Sequence, residues 1–146
     1  MQPILIVDDS ADDRLFAQRI FRECKILNPL VGLSGGQQCL DYFDDICAKD
    51  IPALVLIDLS MPHPNGVTVL HELTDAGWGG KTVFVMLSAL EDIKHIRAGY
   101  QAGARTFLVK PLTREHCFQM VSDIHQIGVA NEIDGYILSA QPFATA

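Results

Sequence analysis

The stretch ILIVDDSADD, residues 4–13, sets four apolar residues against four carboxylates, and the reading of the whole chain turns on it. Ile4 to Val7 is apolar without alternation, as a strand buried on both faces requires. Asp8, Asp9, Asp12 and Asp13 then arrive within six positions, so negative charge collects at the end of a buried element. Carboxylates held this close raise one another's pKa and repel unless a cation intervenes. Either the acids decorate the start of a helix or they surround something positive.

Working outward, the same kind of apolar run recurs at ALVLI (53–57), TVFVML (82–87) and TFLV (106–109), with PLVGL (29–33) a weaker strand. Between these runs the spacing predicts helices. Leu15, Phe16, Ile20 and Phe21 form one stripe, and Leu40, Phe43 and Cys47 a second. Val69, Leu70 and Leu73 face inward on a third. Ile93, Ile96 and Tyr100 mark a fourth, which begins near Glu91. Cys117, Met120, Val121, Ile124 and Ile127 give the clearest stripe. Five βα units with non-alternating strands predict an α/β fold, a doubly wound five-stranded parallel sheet with helices on both faces.

One compact domain suits a chain of 146 residues, and residues 1–128 are assigned to it. Past Gly128 the periodicity fades. Residues 129–146 read as a C-terminal tail that either folds back through Tyr136, Ile137 and Leu138 or pairs with a second copy.

The net charge of −7 and the lack of any basic run disfavour nucleic acid and anionic membrane surfaces as partners. No apolar run is long enough to span a bilayer, and no export leader is evident, so the expected location is cytoplasmic. Cys24, Cys39, Cys47 and Cys117 lack the paired spacing of a zinc site and are expected as small buried side chains in a reducing compartment.

Ligands of an open parallel sheet sit beyond the carboxyl ends of its strands. Those ends carry Asp8 and Asp9, Asp58, Ser88, and Lys110 followed by Pro111. Each has a plain structural reading. Asp8, Asp9 or Ser10 could cap the next helix, Ser88 could cap the helix near Glu91, and Lys110 could be a solvated loop lysine. Asp12 and Asp13 are assigned to the helix dipole. Asp58 resists capping, because the loop LSMPHPNG separates it from the next helix. Taken together, three acids, a hydroxyl and an ammonium on one rim fit Mg²⁺ and a phosphoryl group.

IVDDS at the first strand, LIDLSMPHPNG at the third, MLSA at the fourth and FLVKP at the fifth resemble the receiver domain of two-component response regulators. The resemblance runs from about Ile4 to Ile127 and includes the intervals between Asp58, Gly66, Ser88, Phe107 and Lys110. It implies a flavodoxin-like strand order 2-1-3-4-5 and a phosphoacceptor rather than an enzyme. Asp58 would take the phosphoryl group from a sensor histidine kinase or a phosphotransfer protein. Asp8, Asp9, Asp58 and the backbone carbonyl of Ser60 would hold Mg²⁺. Lys110 and Ser88 would bind phosphoryl oxygens, and Phe107 would be the switch aromatic on the face of helix four, strand five and helix five. The Lys110–Pro111 bond would be cis, turning the loop so that the amine points inward.

Two departures from the family pattern stand out. Phe107 has no hydroxyl, and Leu90 is apolar where water access to the acyl phosphate is controlled. With Ser60 offering no strong base, slow autodephosphorylation is predicted. No output domain follows, so the signal is expected to leave through a protein surface, onto a partner or in a homodimer. The overall plan also resembles the small regulators that accompany bacterial phytochrome kinases. Three rival classes fit the residues less well. A haloacid-dehalogenase-type phosphatase would need an acid at position 60, and a flavodoxin would not tolerate Asp8 and Asp9 beside its phosphate. A phosphorylation-independent scaffold would normally have lost one of the site residues.

Overall fold

A computed structural model describes residues 1–89 and 93–141. Five βα units follow one another: β1 (Ile4–Val7), α1 (Ala11–Glu23), β2 (Leu30–Leu33), α2 (Gly36–Asp44), β3 (Leu54–Asp58), α3 (Gly66–Asp75), β4 (Val83–Ser88), α4 (Ile93–Gln101), β5 (Thr106–Val109) and α5 (Arg114–Asp123). A hairpin of β6 (Ile127–Glu132) and β7 (Gly135–Ala140) closes the described chain. The main sheet is parallel and ordered β2-β1-β3-β4-β5. Strands β1, β3 and β4 are buried at every position, as expected for a sheet covered on both faces.

Side-chain alternation along those strands divides the core in two. Ile4, Ile6, Leu54, Leu56, Val83, Val85 and Leu87 meet α1 and α5 on one face. Leu5, Val7, Val55, Ile57, Phe84 and Met86 meet α2, α3 and α4 on the other. Helix starts carry side-chain caps. Ser10 Oγ accepts from the Asp13 amide, Asn65 Oδ1 from the Thr68 amide, and Thr113 forms a reciprocal capping box with His116.

Several predicted stripes are displaced. On α1 the buried residues are Ala17, Ile20 and Phe21, while Leu15 and Phe16 face solvent. Cys47 lies beyond the end of α2 and is exposed, whereas Cys39, one position before Leu40, is fully buried. Ile93 and Tyr100 are also exposed on α4. On α1 and α4 the apolar stripe is wider than the arc that the sheet covers, and the residues at its margin remain wet; Cys47 is exposed because α2 ends before it. Glu91, where this helix was expected to begin, lies outside the described residues.

The hairpin lies against its own chain. Asn28 is completely buried, and its side-chain amide donates to the carbonyls of Gln2 (2.7 Å) and Leu138 (2.8 Å). Its carbonyl oxygen accepts the Leu138 amide at 2.8 Å. Tyr136 exchanges backbone hydrogen bonds with the segment Lys25–Leu27, and Leu138 and Ile127 enter the core on the α1–α5 face. Among the described residues no helix is long and apolar enough to cross a membrane.

Candidate functional site

The carboxyl ends of β1, β3, β4 and β5 form one rim, and each presents the residue that the chain order puts there. Asp8 follows β1 directly and is 1 % exposed. Its Oδ1 accepts the Ser10 amide at 3.0 Å, and the Arg14 guanidinium donates to its backbone carbonyl at 2.7 Å. The start of α1 and the first acid are therefore built as one unit. Asp58 is the last residue of β3 and is 4 % exposed. Its Oδ1 accepts the Ser60 amide at 2.9 Å. Gly66 opens α3 against the same strand end, because a Cβ there would lie 2.5 Å from the Asp58 carbonyl oxygen. Only glycine permits that approach.

Lys110 sits just past β5, with its amide bonded to the Ser88 carbonyl at 3.0 Å. Its ammonium donates to Asp8 Oδ2 at 2.7 Å and to Asp58 Oδ2 at 3.1 Å, joining the two buried acids. A third bond, at 3.1 Å, goes to Asp13 Oδ2. The Lys110–Pro111 peptide is cis. Asp9 is exposed, yet carboxylate oxygens of Asp8, Asp9 and Asp58 lie within 4.8 Å of one another.

Burial pushes the Asp8 carboxyl above its ordinary range, and the charge of Asp58 adds to that, against the hydrogen bonds from Lys110 and Ser10. For Lys110, burial works against the charge. Its bond to Asp8, the charge of Asp58 and the bond to Asp13 outweigh this and hold the ammonium well above the ordinary lysine range. The site is a buried anionic cup closed by one permanently charged cation. Its three clustered carboxylates offer oxygen ligands only, a donor set that suits a hard divalent ion such as Mg²⁺.

One position differs from the sequence reading: Asp13, expected to serve the helix dipole, pairs its side chain with Lys110 while its amide is capped by Ser10. The loop lysine comes close to the first turn of α1 only in the folded sheet, and no local spacing signals that contact. Ser88 is buried and donates its hydroxyl to the Ala89 carbonyl at 3.0 Å, along its own chain. Phe107 is half-buried and meets Tyr100 edge-on, with ring centres 6.4 Å apart. Leu90, expected to limit water access, lies outside the described residues.

With this sheet order and this rim, the class of protein is defined. The chain belongs to the response regulator receiver domain family, whose family model matches residues 4–122. It is 33 % identical over 123 residues to the sensory/regulatory protein RpfC of Xanthomonas campestris pv. campestris, covering 83 % of this chain and 16 % of that much longer relative. Among solved structures it is similar to the bacteriophytochrome response regulator AtBRR, with a TM-score of 0.76 and 27 % identity over 90 % of this chain and 99 % of that one. The bacteriophytochrome response regulator RtBRR superposes with a TM-score of 0.77 at 22 % identity, covering 92 % and 84 % of the two chains.

Proposed function

We propose that this receiver domain accepts a phosphoryl group on Asp58 from the phosphohistidine of a sensor histidine kinase or a phosphotransfer protein. The observation that supports the reading most directly is the Lys110 ammonium bridging Asp8 and Asp58 beside Asp9. Asp58 is held at the strand end by the Ser60 amide on Oδ1, which leaves its other oxygen toward Lys110. In-line attack by that carboxylate on phosphorus forms the acyl phosphate and returns a neutral imidazole to the donor. Asp8, Asp9, Asp58 and the Ser60 carbonyl would hold Mg²⁺, which supplies charge neutralisation between the carboxylates and the incoming phosphoryl oxygens.

Lys110 then contributes a second positive charge to the phosphoryl group. Ser88, at the end of the intervening strand, would turn its hydroxyl from the Ala89 carbonyl to a phosphoryl oxygen. That rotation frees space beside Phe107, whose inward movement repacks the face made by α4, β5 and α5. Phosphorylation is thereby read out by a partner protein on that face. Similarity to the bacteriophytochrome response regulator AtBRR favours a phytochrome-type kinase as the donor.

The test is mass spectrometry after incubation with acetyl phosphate and Mg²⁺, comparing the wild type with Asp58→Asn. A single added phosphoryl mass on the wild type and none on the variant is expected. An unmodified wild type would replace this reading with that of a phosphorylation-independent scaffold.

A further inference from the structure

Lys110 contacts one carboxylate more than phosphoryl binding requires. Asp8 and Asp58 are the buried members of the acidic cluster, and Lys110 satisfies both. Asp13 is different in kind. It belongs to the first turn of α1, its carboxylate is half exposed, and its distance to the Lys110 ammonium equals that of Asp58, 3.1 Å. Both partners line a cleft of about 270 Å³ together with Phe16 and Pro111. Asp13 thus holds the ammonium from α1 while Asp58 holds it from the end of β3.

The geometry points to Asp13 as an internal competitor for Lys110, a positioning residue that sets how readily the ammonium is released to an incoming phosphoryl group. This rests on Asp58 being the acceptor. An ammonium has three protons, and in the resting site all three go to carboxylates. A phosphoryl oxygen on Asp58 can be served only if one of those bonds is given up or shared. The bonds to Asp8 and Asp58 are buried and costly to break, whereas the Asp13 carboxylate can be resolvated. Its release is the least costly route to a phosphoryl contact. Asp13 also adds a negative charge that any anionic phosphoryl donor must approach.

Replacing Asp13 with Asn keeps the shape and removes the competing charge. With acetyl phosphate and Mg²⁺, Asp13→Asn should modify Asp58 faster than wild type, by roughly two- to five-fold for a half-exposed ion pair. The gain should shrink as salt screens the pair. Asp12→Asn, in the same helical turn, serves as control for loss of a first-turn acid and should leave the rate unchanged. A merely structural role for Asp13 would slow the reaction in Asp13→Asn, or leave it unaltered, and either result overturns the inference. A second measurement stands apart from phosphorylation. Without a phosphoryl donor, acylation of Lys110 by an N-hydroxysuccinimide acetate, followed by peptide mass spectrometry, should be faster in Asp13→Asn than in wild type and Asp12→Asn. Equal labelling in all three proteins would overturn the competition even if Asp58 were never phosphorylated.

Discussion

Lys110 reaches Asp58 across a whole strand: Asp58 ends β3, Lys110 follows β5 directly, and β4 runs between them, yet ammonium and carboxylate lie 3.1 Å apart. Ser88 ends the strand that is bridged, and its carbonyl anchors the Lys110 amide. The Asp58 carboxylate and the Lys110 ammonium therefore meet on the rim beside the end of β4. On the proposed reading, a phosphoryl group on Asp58 would enter between them and Ser88.

Asp8 bears the electrostatic strain of this arrangement. Its folded pKa is raised above the ordinary value of 3.8, chiefly by burial. The stability tied to its protonation is thus fully present below about pH 4 and lost as pH rises through the folded pKa. Lys110 is shifted upward and stays charged throughout this range, so it does not contribute to the slope. In metal-free buffer, Asp8→Asn should melt a few degrees higher than wild type at pH 7, with the gap closing toward pH 4. Added Mg²⁺ should raise the melting temperature of wild type and leave Asp8→Asn nearly unmoved. A lower melting point for the variant at pH 7 would contradict the burial argument.

Asn28 ties the hairpin to the domain through two buried side-chain hydrogen bonds to Leu138, and a third reaches the Gln2 carbonyl. Asn28→Ala leaves the Leu138 amide and two carbonyls without those partners. The expected loss is about 2–4 kcal/mol in urea unfolding. Hydrogen exchange should show Tyr136 and Leu138 deprotected before the central strands. Unchanged protection at Leu138 would mean that packing alone holds the hairpin.

Gly66 touches the acceptor strand so closely that Gly66→Ala forces the start of α3 away from the Asp58 carbonyl. Overpacking of this kind costs about 1–3 kcal/mol. Because the crowded atom belongs to Asp58 itself, the rate of modification by acetyl phosphate should fall along with stability. Stability loss at an unaltered rate would separate the helix start from the site.

Ser60 gives Asp58 a backbone amide and presents no carboxylate or carboxamide side chain to orient a water. Once formed, the acyl phosphate on Asp58 should persist for minutes or longer in the isolated protein. Its decay can be followed by quenched mass spectrometry, and loss within seconds would refute the expectation.

The thiols offer an independent check on the core. Burial raises the pKa of Cys24 and Cys117 and pushes Cys39 up to about 12, while Cys47 is exposed. The thiolate is the reactive form, so at pH 8 an aromatic disulfide reagent should label Cys47 rapidly and the other three only as fast as the chain unfolds. For Cys39 the folded value exceeds the ordinary 9.0, so its contribution to stability is complete below about pH 9 and fades as pH climbs toward 12. Fast labelling of more than one thiol in native buffer would contradict this packing.

The sequence alone specifies the five βα units, because apolar runs without alternation can be satisfied only between two layers of helices. It also determined which residues meet at the rim, since chain order alone assigns Asp8, Asp58, Ser88 and Lys110 to strand ends. Helix margins were less legible. Leu15 and Phe16 fit a helical period, but how wide an arc is buried depends on the twist and extent of the sheet beneath; Cys47 fits one too, but α2 ends before it. The hairpin was legible in principle. Asp134-Gly135 signals a turn, and the loop is Ile133-Asp134 with Gly135 already paired to Glu132, but no helical period or clear alternation marks the flanking strands. Tertiary structure alone decided two contacts. Asn28 finds Leu138 at a separation of 110 residues, and Asp13 finds Lys110 at 97. Neither pairing has a local period or propensity behind it, because each exists only once the parallel sheet has brought distant strand ends and loops to one place.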